Sequence, residues 1–122
     1  THDIMLDHLS LQWSTDEAAH LGGATNLSLQ WSVLSEPLRC GSCRDDGKTT
    51  HNYGLFADKS NSITLYKNLF ANGYWRNPNL AAREGAHLIN NVGFDYGQYA
   101  MQFYVNIWVS SVANIVGNWY GE

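Results

Sequence analysis

Leu9-Ser10-Leu11-Gln12-Trp13-Ser14 recurs unchanged as Leu27-Ser28-Leu29-Gln30-Trp31-Ser32. In both copies apolar and polar residues alternate, the period of a strand with one face buried, and the second copy carries the alternation on to Val33. Gly22-Gly23 lies between them, so the copies are read as two strands facing one core, neighbours in one sheet. Two short copies fall below the roughly three repeats of one unit that a solenoid takes.

Beyond Val33 the alternation stops. Pro37, Cys40, Cys43 and Asp45-Asp46-Gly47 mark a long irregular connection. Asn61-Ser62 then offers a helix cap, Ile63, Leu65, Tyr66, Leu69 and Phe70 fall on one helical side, and Asn72-Gly73 ends the segment. Asn77-Pro78 repeats that logic, with Leu80, Ala81, Leu88 and Val92 as the apolar stripe and Gly93 as the stop. From residue 98 to 110 the odd positions Tyr99, Met101, Phe103, Val105, Ile107 and Val109 are apolar, which predicts a strand, followed by another over 112–120. The expected fold is α+β: one domain over 1–122, a two-layer sandwich with an antiparallel sheet of about four strands and two helices on one face. Leu9, Leu11, Trp13, Leu29, Trp31, Leu65, Leu69, Leu88, Phe103, Val105 and Ile107 are its expected core.

Charge narrows the function. The 122 residues carry 7 Lys+Arg against 11 Asp+Glu, a net charge of −4, and no basic stripe, which argues against nucleic acid as a partner. From Tyr96 to Gly121 no residue is charged, so that quarter is expected to be buried, paired with a partner or in contact with lipid. Its Gln, Asn, Gly and Ser content, with no Lys or Arg at its end, argues against a stable transmembrane span. The chain opens on Thr1 and holds an Asn26-Leu27-Ser28 sequon, so it is read as a secreted product with Asn26 as a glycosylation position.

Chemistry-bearing motifs are sparse. Cys40 and Cys43 are read as oxidised sulfur, either a local ring or one bridge to another chain. A redox Cys-x-x-Cys would need a following helix, whereas a turn follows here. Zinc would need Cys40, Cys43 and His51 joined by His8, His20 or His87, and without a second ligand pair no metal or other cofactor is assigned. Arg83, Glu84 and His87 share a helical face, yet no motif ties them to a second acid or base, so no catalytic residue is assigned and the chain is read as a non-enzyme. Tyr74, Trp75, Arg76 and Asn77 form a candidate carbohydrate contact, with aromatic faces for sugar C–H edges and the amides of Asn77 and Asn79 for hydroxyls.

Asn52-Tyr53-Gly54-Leu55, the run Gly97-Gln98-Tyr99-Ala100-Met101-Gln102-Phe103 and the Asn-rich end before Gly121 resemble subunits of the virally encoded yeast killer toxins. The resemblance implies a secreted precursor cut into disulfide-linked chains that bind cell-wall polysaccharide and then damage the target membrane. It implies packing or membrane contact for Gly97, Gln98, Tyr99 and Met101; Phe103 and Trp108 extend that apolar surface. The expected function is a secreted toxin chain that assembles with itself or a partner chain and acts at a target cell-wall glycan or membrane. A non-toxic carbohydrate-binding module is the alternative.

Overall fold

The computed structural model describes residues 1–39, 51–103 and 112–121, and all regular structure among them is β-strand. Twelve strands follow in order: β1 (His2–Asp7), β2 (Ser10–Gln12), β3 (Glu17–His20), β4 (Thr25–Gln30), β5 (Val33–Ser35), β6 (Tyr53–Tyr66), β7 (Leu69–Ala71), β8 (Asn79–Ile89), β9 (Val92–Phe94), β10 (Gln102–Phe103), β11 (Ala113–Val116) and β12 (Trp119–Gly121). Every strand pairing among them is parallel. One sheet runs β1-β4-β6-β8-β10, with β3 also on β6 and β11 also on β8; the other runs β12-β9-β7-β5-β2. The chain therefore winds as a solenoid, each coil lying one strand spacing, about 4.8 Å, from the last. The long strands β6 and β8 continue across a corner where their register shifts between Asp58 and Ser60 and between Ser60 and Ser62. That corner divides the larger sheet into two arms. Buried Ser60 holds it, donating to the Leu21 carbonyl (3.1 Å) and accepting from the Ala24 amide (3.3 Å).

The turn between the sheets repeats in every coil. His8, Trp31, Lys67, Asn90 and Gly117 take positive φ there, from 49° to 64°. The next residue points inward and bonds the coil before it. Ser32 N donates to Asn68 Oδ1 (3.0 Å), Asn68 N to Asn91 Oδ1 (2.9 Å) and Asn91 N to Asn118 Oδ1 (2.8 Å). The same amides donate outward to strand carbonyls, Asn68 to Leu29, Asn91 to Leu65 and Asn118 to Leu88. Inside the arms, apolar residues line up coil on coil: Ile4, Leu27, Ile63 and Ala86 in one row, Leu6, Leu29, Leu65 and Leu88 in the next. Leu29, Leu65, Leu88, Leu55, Leu80 and Phe70 are almost wholly buried.

This overturns the α+β sandwich. The antiparallel sheet is replaced by parallel ladders, and both expected helices are strands. The first fell on β6 and β7, where Ile63 and Leu65 alternate inward, the inward Asn68 turn shifts the phase, and Phe70 resumes it, so two strands mimic helical spacing. The second fell on β8; Pro78 follows Asn77 through a cis bond and precedes a strand instead of opening a helix. The two hexapeptide copies, 18 residues apart, are not paired with each other. Leu27–Gln30 pairs with Ile4–Asp7, and Ser10–Gln12 pairs with β5, an offset of 23. Trp13 and Trp31, expected in the core, stand at positive-φ turns and are 67% and 48% exposed. Val105 and Ile107 lie outside the described residues, as do Cys40, Cys43 and Trp108.

Candidate functional site

Among the described residues Arg76 is the charged group most enclosed by aromatic rings. Its guanidinium lies 4.5 Å from the Tyr53 ring centre, 4.7 Å from Phe56 and 5.9 Å from Trp75. Its Nη1 pairs with Glu17 Oε1, and both side chains are mostly buried, 23% and 15% exposed. Burial pushes the guanidinium below its ordinary range, and the charge of nearby Asp16 opposes that shift. A cation so placed is held by ring quadrupoles and one carboxylate instead of water.

The backbone explains how it gets there. Residues 73–76 run beside 52–55: Tyr74 N donates to the Asn52 carbonyl, Gly54 N to Trp75 and Leu55 N to Arg76. At Gly54 a Cβ would sit 2.5 Å from the Arg76 carbonyl oxygen and 2.6 Å from Asn77 Oδ1, so only glycine lets the Arg76 backbone come this close. Glu17 reaches the same place because β3 stacks on β6, with Glu17 opposite Tyr53. Residue 16 brings a second carboxylate, whose Oδ1 lies 3.1 Å from His51 Nδ1; the His51 ring in turn lies 5.0 Å from that of Tyr53.

A cavity of about 200 Å³ opens beside Arg76, lined by Phe56, Trp75, Arg76, Asn79, Gln102 and Phe103. Four of these carry a buried polar atom with no hydrogen-bond partner among the described residues: Trp75 Nε1, Arg76 Nε, Asn79 Oδ1 and Gln102 Oε1. Such orphans cost roughly 1–3 kcal/mol each, and folded proteins keep few of them. Here they gather around one cavity, two donors and two acceptors. Glu17 occupies Nη1, while Nε of the same guanidinium is left without a partner among the described residues.

The chain is similar to fungal pectate lyases. It is 26% identical over 118 residues to a probable pectate lyase C of Aspergillus fumigatus, covering 96% of this chain and 25% of that protein. The same values hold for a probable pectate lyase C of Neosartorya fischeri. One from Emericella nidulans is 26% identical over 96 residues, 78% of this chain and 20% of the relative. The chain thus spans about a quarter of the length of these curated relatives. No family model and no solved structure matches it.

These relatives and the solenoid overturn the killer-toxin resemblance, and with it the toxin and binding-module readings. The similarity to lyases extends over nearly the whole chain, whereas the toxin likeness rested on short runs: Asn52–Leu55 leads into and begins β6, and Gly97–Phe103 spans a turn and β10. The reading of a non-enzyme is corrected as well, since each relative bears an enzyme's name.

The structure separates the residues singled out from the sequence. Trp75 and Arg76 line the cavity, buried Asn77 donates to the Gly73 carbonyl (2.9 Å), and Tyr74 is partly exposed, its ring filling the space beside Gly97. Gln98 N donates to the Tyr74 carbonyl, and the Tyr99 ring centre lies 6.3 Å from that of Trp75. Met101 Sδ accepts the Tyr120 hydroxyl (3.4 Å), and Phe103 is a cavity wall. Asn26 is exposed, its Nδ2 donating to Asp3 Oδ1 (3.0 Å). Arg83, Glu84 and His87 stand exposed on β8. Among the described residues no group of three or more His, Cys, Asp and Glu side chains is placed to hold a metal ion. Asp16, Glu17 and Phe56 escaped the sequence reading, which took His51 only as a possible zinc ligand, Asn79 as a hydrogen-bonding neighbour of the carbohydrate contact and Gln102 as part of the run Gly97–Phe103; Asp16-Glu17, directly after the first hexapeptide and Thr15, was the nearest signal.

Proposed function

We propose that this chain carries the substrate site of a lyase that cleaves an acidic polysaccharide of the pectate class by elimination. The observation that carries this reading is the half-buried, aromatic-boxed Arg76 beside a cavity ringed by unsatisfied donors and acceptors. A sugar acid brings both things the site lacks: a carboxylate for the Nε edge of Arg76, and hydroxyls that donate to Asn79 and Gln102 and accept from Trp75 after small side-chain rotations.

In such an elimination hydroxide or water from solvent takes the proton α to the carboxylate, and the C–H electron pair forms a C=C bond. The neighbouring glycosidic oxygen leaves and takes a proton from water. Negative charge builds on the carboxylate side as the proton departs, where a preorganised guanidinium in a water-poor site stabilises it most. Glu17 fixes the guanidinium against the rings. An enzyme for such a polymer works outside the cell, in keeping with the expected secretion.

The test is Arg76→Ala and Arg76→Lys assayed on polygalacturonate through the ultraviolet absorbance of the unsaturated product. Arg76→Ala is expected to lose at least about 100-fold in kcat/KM while its circular dichroism stays native. Lysine keeps the charge but not the fork and is expected to recover little. Wild-type turnover retained in a folded Arg76→Ala chain would refute the assignment.

A further inference from the structure

The strand register places four outward-facing residues in one line across successive coils: His20 opposite Phe56, Phe56 opposite Asn79, and Asn79 opposite Gln102. The last three line the cavity beside Arg76. His20 lies one coil further along the solenoid axis, outside it. Adjacent positions in the line are separated by the strand spacing, about 4.8 Å, close to the length of one pyranose residue in an extended chain.

His20 is built for contact. Its side chain is 52% exposed, and its ring centre lies 5.0 Å from that of Phe56, tilted by 31°. Arg76 lies against the same Phe56 ring, which links the two side chains through one aromatic plate. Nε2 of His20 sits 2.8 Å from Asp58 Oδ1, which fixes the ring and its tautomer. Gly22 beside this pair leaves it room, because a Cβ there would stand 2.9 Å from Asp58 Oδ1. Backbone bonds from Leu21 N to the Phe56 carbonyl (2.8 Å) and from Gly23 N to the Asp58 carbonyl (3.0 Å) hold the segment against β6.

We infer that a linear acidic saccharide lies along this line, parallel to the solenoid axis, and that His20, oriented by Asp58, contacts the sugar ring one position beyond those in the Arg76 cavity. The inference rests on the lyase reading and deepens it. His20 is here a residue that sets the preferred chain length; it takes no part in the bond breaking. A sugar hydroxyl donates to the ring nitrogen that Asp58 leaves unused, and the ring face packs on sugar C–H groups.

The experiment compares His20→Ala and Asp58→Asn with the wild-type chain, using galacturonate dimer and tetramer as calorimetric ligands and polygalacturonate as the kinetic substrate. His20→Ala is expected to weaken tetramer binding by about tenfold and to leave dimer binding unchanged, since the dimer is held within the cavity. On the polymer KM rises and kcat is kept. Asp58→Asn, which retains a hydrogen-bonding partner for Nε2, is expected to fall between the two. Equal losses for dimer and tetramer, or no loss for either, would overturn the inference and leave the lyase reading standing. Failure of the wild-type chain to bind either oligomer would overturn both.

Discussion

Replacing Asn91 by alanine removes the middle rung of the inward ladder. Asn91 is 2% exposed, and its side chain makes four hydrogen bonds: Oδ1 accepts from Asn68 N (2.9 Å) and Nδ2 (3.0 Å), and Nδ2 donates to the Leu65 carbonyl (2.9 Å) and Asn118 Oδ1 (2.9 Å). Two of the partners keep alternatives. Asn68 Nδ2 still donates to the Leu29 carbonyl (2.8 Å), and Asn118 Oδ1 still accepts from the backbone N of residue 91 (2.8 Å). The Asn68 N–H and the Leu65 carbonyl are left buried without these bonds. At roughly 1–3 kcal/mol per stranded group, the expected loss is about 4 kcal/mol, a large part of the roughly 5–15 kcal/mol that holds a domain together. For a chain of this length it lowers Tm by about 15 °C. Thermal and urea unfolding followed by circular dichroism measure it directly. The control is Asn90→Gly one residue earlier, at φ 54° and exposed; glycine suits that backbone, so its stability should stay within about 1 kcal/mol of wild type. If Asn91→Ala unfolds no more readily than this control, the ladder is not what clamps the coils.

Gly54→Ala is expected to abolish elimination activity and to lower Tm, because its Cβ would meet the backbone carbonyl of Arg76 at 2.5 Å and must push that segment away; full activity in a folded variant would count against the close approach. At alkaline pH the Tyr120 phenol supplies another test, since burial raises its pKa above the ordinary 10.0. The folded state favours the protonated form, so this contribution is intact below the unfolded pKa and is lost as pH rises through the folded value. Tyr120→Phe should flatten the fall of Tm above about pH 10; an unchanged slope would exclude the phenol as its source.

What could be read ahead of the structure was local, and what could not was the stacking. Alternation in residues 27–33 does mark strands, and Leu29, Leu65 and Leu88 are buried as expected, because period-two burial is the same in an antiparallel sheet and a parallel coil. Nothing in one strand says whether its neighbour runs the same way. The repeat that does say so was hidden by the more visible one: the identical hexapeptides are 18 residues apart, while the coil spacing set by Leu9, Ser32, Asn68 and Asn91 is 23, 36 and 23. Lys67-Asn68-Leu69, Asn90-Asn91-Val92 and Gly117-Asn118-Trp119 share a turn residue, an asparagine and an apolar residue, and this was the signal available. Tyr74–Asn77 drew attention as an aromatic and polar cluster, but Glu17 lies 59 residues before Arg76, and only coil stacking makes them partners.

The unequal coil spacing also explains why the site sits where it does. From Ser32 to Asn68 the chain takes 36 residues against 23 from Asn68 to Asn91, thirteen more. All thirteen fall between Ser35 and Tyr53, since Gln12 to Glu17 is five steps and the equivalent Ser35 to Tyr53 is eighteen. The next coil takes 27, and its four extra residues fall between Phe103 and Ala113, ten steps where Leu80 to Ala86 takes six. Neither insertion interrupts the sequence of the asparagine turn, whose hydrogen bonds require one inward residue per coil in fixed register. Along the chain both instead adjoin the arm that holds Arg76: one precedes Tyr53, the other follows Phe103. A solenoid can vary its sequence and length on one side only if another side keeps the stack in phase. The ladder supplies that phase, which frees the opposite arm to gather Phe56, Arg76, Asn79 and Gln102 from three successive coils around a single cavity, with Glu17 of the coil before them paired to Arg76.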